Sequence, residues 1–215
     1  VRRYAQFVNT LCSHLRGHTV YLTVHESNVK KGETQRRPGL HVETPVSLVE
    51  HGTLRCRPEQ QMHWGGSSRV VSVKMEGGII FMSNIGESTA VYHCRIRDPE
   101  EVVGPHGSIE HLRTALRRLK VNVTYPQSYQ SVWMTDLTPH EALPADQDYV
   151  RAFVRIVLSD VSVWYDTHNT PNPHVPLPKS VKVVKGDKFK AANEAQLQGP
   201  CHFCHAPYAT VVCAT

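Results

Sequence analysis

Apolar residues recur at three- and four-residue steps in two places. Tyr4, Val8, Leu11 and Leu15 predict an amphipathic helix over roughly 2–16, with Gly17 as its stop. Ile109, Leu112, Leu116 and Leu119 predict a second helix from Ser108, its N-cap, to about Leu119. Elsewhere the apolar positions form short runs rich in β-branched and aromatic residues. These predict strands at 19–24, 69–75, 79–84, 89–96, 121–125, 131–135, 149–158 and 161–165. Gly77-Gly78 and Ile85–Ser88 read as the turns of a meander joining the second, third and fourth of these. Glu26–Arg37 reads as a polar loop. Residues 50–68 (around Trp64-Gly65-Gly66), 136–148 and 166–178 lack periodicity. Long irregular stretches on a rigid scaffold usually carry specificity, so 50–68 and 166–178 are the expected substrate contacts.

Strands do not alternate with helices, which argues against a doubly wound parallel sheet. The pattern predicts a mainly β (α+β) chain, an antiparallel sandwich or jelly roll with one N-terminal and one internal helix. It divides into a body over 1–178 and an extension over 179–215 carrying Lys179, Lys182, Lys185, Lys188 and Lys190.

Composition narrows this a little. The 215 residues are 40% hydrophobic and 20% charged, as in globular rather than disordered proteins. No apolar run approaches bilayer-spanning length, so no membrane partner is expected. A net charge of +5 suits an anionic ligand but falls short of a nucleic-acid-binding footprint. The six cysteines are too sparse for a secreted disulfide framework, which predicts a reducing cytoplasmic or nuclear setting. The single triplet Asn122-Val123-Thr124 points weakly the other way. Cys201, Cys204, Cys213 and either His202 or His205 have spacing suited to a structural zinc. The same stretch also matches the C-x-x-C-H haem-attachment pattern, without a signalled axial partner.

The stretch Arg36-Arg37-Pro38-Gly39-Leu40-His41-Val42-Glu43-Thr44-Pro45 holds the chain's one H-x-[DE] triplet. In extended backbone His41 and Glu43 point the same way, as one imidazole and one carboxylate on a metal must. A second imidazole would complete the facial triad that holds Fe(II) and leaves the opposite face open. His140, in the turn Thr138-Pro139-His140, is the candidate; His25, His63 and His111 are alternatives. Eleven and fifteen residues after His140, Arg151 and Arg155 share one strand face with Phe153, Val157 and Ser159. Two arginines there are costly unless an anion meets them.

This set resembles the Fe(II)/2-oxoglutarate-dependent oxygenases of the double-stranded β-helix fold. The resemblance covers roughly residues 19–165 as a pattern of order and spacing. It implies that His41, Glu43 and His140 bind iron. It also implies that Arg151 or Arg155, helped by Ser159 or Tyr21, holds the far carboxylate of 2-oxoglutarate. The activity implied is an O2-dependent oxidation coupled to decarboxylation to succinate and CO2. The family's usual carboxylate is Asp, and Glu43 stands in its place.

Three other readings compete. Arg151 and Arg155 could be surface ion-pair partners of Asp146, Asp148 or Asp160. The chain could be a non-catalytic β-sandwich whose basic tail and cysteine knuckle bind nucleic acid or a protein. It could also be a cupin-like metalloprotein, although the two closely spaced histidines of that pattern are absent. Trp64 and Trp133 could line a pocket or fill the core.

Overall fold

The computed structural model describes residues 4–11, 20–43, 69–71, 74–76, 78–96, 102–104, 107–158, 163–179, 181–186 and 211–213. They are mostly strands in antiparallel sheets, with few helices. Strand β1 (Tyr21–Val29) pairs along its whole length with β10 (Tyr149–Val157), which pairs in turn with β4 (Ile79–Ser83), and β4 with β8 (Val132–Met134). A second sheet has the order β7 (Val123–Thr124), β5 (Thr89–Tyr92), β9 (His140–Ala142). Residue 41 extends it, because His41 forms antiparallel bridges to both His140 and Ser108.

The smaller pairs are β2 (Arg69–Val71) with β3 (Lys74–Glu76), β13 (Val211–Cys213) with β6 (Cys94–Ile96), and β11 (Val163–Tyr165) parallel to β12 (Lys182–Val184). Strands β12 and β13 therefore pair residues beyond 179 with the body.

Several expectations change. Helix α1 spans Ala5–Leu11 among the described residues. The polar run after Val24 is not all loop: β1 continues to Val29 because the nine residues of β10 offer a full-length partner. The meander is not formed. The turn after β4 carries the chain from the first sheet into the second, so β4 and β5 never pair. The run 89–96 breaks at His93 into β5 and β6, which join different partners. Ser108 makes no cap; it pairs with His41, and a 3-10 turn at Glu110–Leu112 leads into α2 (Arg113–Arg118). Leu119 lies past the end of α2 and is exposed rather than on its buried face.

Two apolar cores position the site. Ile79, Phe81, Val91, Met134, Phe153 and Val157 join the two sheets. Leu40, Val42, Ile96, Ile109, Leu112 and Leu116 pack the turn and helix against the outer side of the second sheet. Each side chain fully buried in this way contributes about 1.5–3 kcal/mol. Leu40 and Val42 face this second core, so strict alternation turns His41 and Glu43 the opposite way, between the sheets. Trp133 is partly exposed and lies over Gly78, whose positive φ and close approach to the Met134 carbonyl leave no room for a Cβ. Among the described residues no helix is long and apolar enough to cross a membrane.

Candidate metal and co-substrate site

Between the two sheets lies a cavity of about 930 Å³, lined by residues of β1, β4, β5, β9, β10, the segment 36–43 and the segment 168–177. His41, Glu43, His140, Arg155 and Tyr21 all line it. The expected ligands therefore come together from positions 99 residues apart in sequence. His140 opens strand β9 instead of projecting from a turn.

His41 and His140 are locked by their backbones. The His41 N–H donates to the His140 carbonyl at 3.0 Å, and the His140 N–H donates back at 2.9 Å. This hydrogen-bonded cross-strand pair sets the two rings side by side, with centroids 4.4 Å apart. Each ring is then oriented by the carbonyl two residues before it: His41 Nδ1 lies 2.7 Å from the Gly39 oxygen and His140 Nδ1 lies 2.9 Å from the Thr138 oxygen. A carbonyl only accepts, so both Nδ1 atoms carry a proton, and Nε2 is the atom each ring has left to offer a metal. This is how metal-binding histidines are commonly held. Burial, with help from His140 and Arg37, pulls the His41 pKa down to about 2, so His41 is neutral at any working pH. Gly39 adopts a φ of +80°, which presents its carbonyl to the ring.

Glu43 is the third potential donor. Its Oε1 stands 3.8 Å from His140 Nε2 and takes a short charge-assisted hydrogen bond from Arg155 Nη1. Arg155 is buried and also reaches Thr23 at 3.4 Å. The donor types suit Fe(II): two imidazoles and a carboxylate lining one cavity. The set is not closed to ligation distances. Among the described residues no three His, Cys, Asp or Glu side chains form a metal-binding group, this trio included. Ligation would require Glu43 to turn from Arg155 toward the imidazoles.

Arg151 and Arg155 are not surface ion-pair residues. They are 1% and 7% exposed, and Asp148 pairs with Lys30 instead. Arg151 donates to Ser83 Oγ at 3.1 Å and to Thr89 Oγ1 at 3.2 Å, and its guanidinium carbon lies 5.3 Å from the centre of the Phe153 ring. Thr89 and Phe153 line the cavity in front of it. Tyr21 stacks obliquely on Trp164, with ring centres 5.7 Å apart.

Ser159, Cys201, Cys204, His205, His63 and the stretch 50–68 lie outside the described residues, as does the Cys213 side chain. The structure gives no support for zinc or for a nucleic-acid partner. His25 and His111 are not in the cavity wall. The irregular segment 166–178 is there, contributing His168–Asn172 and Val175–Leu177.

Sequence reasoning missed Arg36 and Arg37, which line the cavity directly before the His41 turn. Their adjacency to the H-x-E triplet was the available signal. It also missed a brace behind the histidines. Arg113 of α2 grips Glu141 through both carboxylate oxygens, at 2.8 and 2.7 Å, and also bonds Glu110. Glu110 Oε2 accepts the Leu40 N–H at 2.8 Å, and Tyr92 OH donates to Glu141 at 2.8 Å. Arg113 holds both carboxyl groups below their usual pKa. Burial, and then the bond to Glu141, pushes the Tyr92 hydroxyl up to about 12.

No family model and no curated protein matches the chain. Among solved structures it is similar to HygX from Streptomyces hygroscopicus with iron bound, at 11% identity over 73% of this chain and 68% of that one, with a TM-score of 0.40. It is also similar to HygX with nickel and 2-oxoglutarate bound, at 13% identity over 73% and 67% of the two chains, with a TM-score of 0.36.

Proposed function

We propose that the chain is a non-haem Fe(II)/2-oxoglutarate-dependent oxygenase on a jelly-roll (double-stranded β-helix) scaffold. In this reading residues 1–178 form the catalytic body and 179–215 an extension. The observation that carries it is the locked pair of imidazoles, His41 and His140, each held at Nδ1 by a backbone carbonyl, with a carboxylate beside them.

In this reading His41, His140 and Glu43 hold the iron. With 2-oxoglutarate, O2 and substrate present, the metal would supply oxidation of the substrate coupled to decarboxylation to succinate and CO2. The protein's own groups set up the rest. The Gly39 and Thr138 carbonyls fix the imidazole tautomers, and the hydrogen-bonded pairing of residues 41 and 140 fixes their spacing.

Arg151 takes the far carboxylate of the co-substrate. Val91 is directly opposite His140 and Thr89 directly opposite Ala142, so Thr89 lies two residues along the ladder from His140. That is about 7 Å, a span suited to a five-carbon diacid. A carboxylate ending at Thr89 meets the guanidinium bonded to it. Arg155 has a different role: it holds Glu43 until a metal claims the carboxylate. Phe81, Met134 and Phe153 give the cavity apolar lining.

The test is turnover of 2-oxoglutarate without any primary substrate. Aerobic protein with Fe(II) should release succinate slowly and stoichiometrically with CO2. His140→Ala should abolish this release while preserving the far-ultraviolet circular dichroism. Release that persists in His140→Ala sinks the assignment.

A further inference from the structure

The cavity wall holds one arginine, Arg36, that no carboxylate pairs among the described residues. Arg36, Arg37 and Arg155 line it with Arg151 immediately behind, and Glu43 is the carboxylate among the lining residues. Arg155 is already joined to that carboxylate. Arg36 is different: among the described residues its guanidinium meets the Phe153 ring, 5.0 Å from the centroid, and no carboxylate pairs it. Burial, followed by the nearby charge of Arg155, lowers its pKa to about 10, with Glu43 opposing that shift in part. A cation held among other cations and removed from water calls for an anion.

The proposed metal and co-substrate do not supply one on balance. A divalent cation restores as much positive charge as a dicarboxylate removes, so Arg36 is still without an anion after both are bound. Apolar side chains also line the cavity, among them Tyr21, Leu22, Trp164, Val175 and Leu177. Leu22 and Val175 are 37% and 45% exposed, and covering apolar surface of this kind with an apolar ligand is favourable. At about 930 Å³ the cavity is near the top of the roughly 300–1,000 Å³ range of small-molecule sites, so space remains beyond a five-carbon diacid.

We propose that the primary substrate is an amphipathic acid, with its anionic end on Arg36 and its apolar body against the Tyr21–Trp164 wall. This rests on the oxygenase reading for the word substrate, but the binding claim stands on the cavity alone. The recognition is a charge-assisted bond at one end and buried apolar area along the rest.

The test compares decanoate with decanol, which share an apolar body and differ in charge, by calorimetric titration of the full chain. It is run on the untreated protein and on protein loaded anaerobically with Fe(II) and 2-oxoglutarate. Decanoate should bind at least about tenfold tighter than decanol. Arg36→Gln should bring decanoate to the level of decanol and leave 2-oxoglutarate affinity unchanged. Arg36→Lys, which keeps the charge, should retain a preference for the acid. Equal binding of the two probes, or binding of neither, overturns the proposal. Loss of 2-oxoglutarate binding in Arg36→Gln also overturns it, because Arg36 would then belong to the co-substrate. A wild-type chain that prefers decanoate yet binds no iron supports this inference and refutes the oxygenase assignment.

Discussion

Arg113 and Glu141 form a two-pronged ion pair, 2.8 and 2.7 Å, one residue beyond His140. Through Glu110 the same guanidinium is linked to the Leu40 N–H, one residue before His41. A single side chain thus ties helix α2 to both backbone segments that present the imidazoles. Arg113→Met should therefore lower stability by about 2 kcal/mol, less than a fully buried pair because Arg113 keeps a quarter of its exposure. Urea denaturation measures it. Arg113→Lys should recover little, since an ammonium cannot span both oxygens.

The Glu43–Arg155 pair makes a prediction of opposite signs. Arg155→Met leaves a mostly buried carboxylate without its cation, so the metal-free protein should melt at a lower temperature. The same change removes the competitor for Glu43, so Co(II) should bind about tenfold tighter, a gain of ~1.4 kcal/mol. Absorption titration with Co(II) reads the affinity. An unchanged or weakened affinity would show that Glu43 is not a metal ligand.

His41 sets an acid limit on stability. Its pKa is about 2 in the folded chain against an ordinary 6.5, so below pH 6.5 the unfolded chain takes up a proton the folded one refuses. Stability attributable to His41 is therefore whole above pH 6.5 and falls as pH drops, by about 1.4 kcal/mol per pH unit. His25 and His111, both lowered chiefly by burial, act in the same direction. Glu110 and Glu141 add a further loss below their ordinary value of 4.5. Comparing the wild type with His41→Asn between pH 6.5 and 5 isolates the His41 contribution. Parallel curves would contradict it.

Gly39 offers a local test of the imidazole lock. Its φ of +80° is costly for any residue with a Cβ. Gly39→Ala should cost about 1–2 kcal/mol and weaken Co(II) binding by misaligning the carbonyl that holds His41 Nδ1. A loss of stability with unaltered Co(II) affinity would separate the backbone strain from the lock.

What could be read in advance was local. Alternation alone places Leu40 and Val42 on one side and His41 and Glu43 on the other, and strand β10 is legible from its β-branched and aromatic residues. Which sheet a strand joins was not legible. The turn after β4 looks like a hairpin turn, but the partners that decide its path, β8 and β10 for one strand and β7 and β9 for the next, lie far along the chain. The Glu43–Arg155 pair spans 112 residues and leaves no trace in local pattern. Arg36 sits in irregular backbone, where no periodicity says which way a side chain points.

The most direct test is anaerobic addition of Fe(II) and then 2-oxoglutarate to metal-stripped protein, followed by visible absorption. The charge-transfer band of a 2-oxoglutarate–iron chelate should appear. The band should vanish in His41→Ala, and it should need far more 2-oxoglutarate in Arg151→Met than in the wild type. Iron binding without that band, or a band indifferent to His41, would contradict the oxygenase assignment.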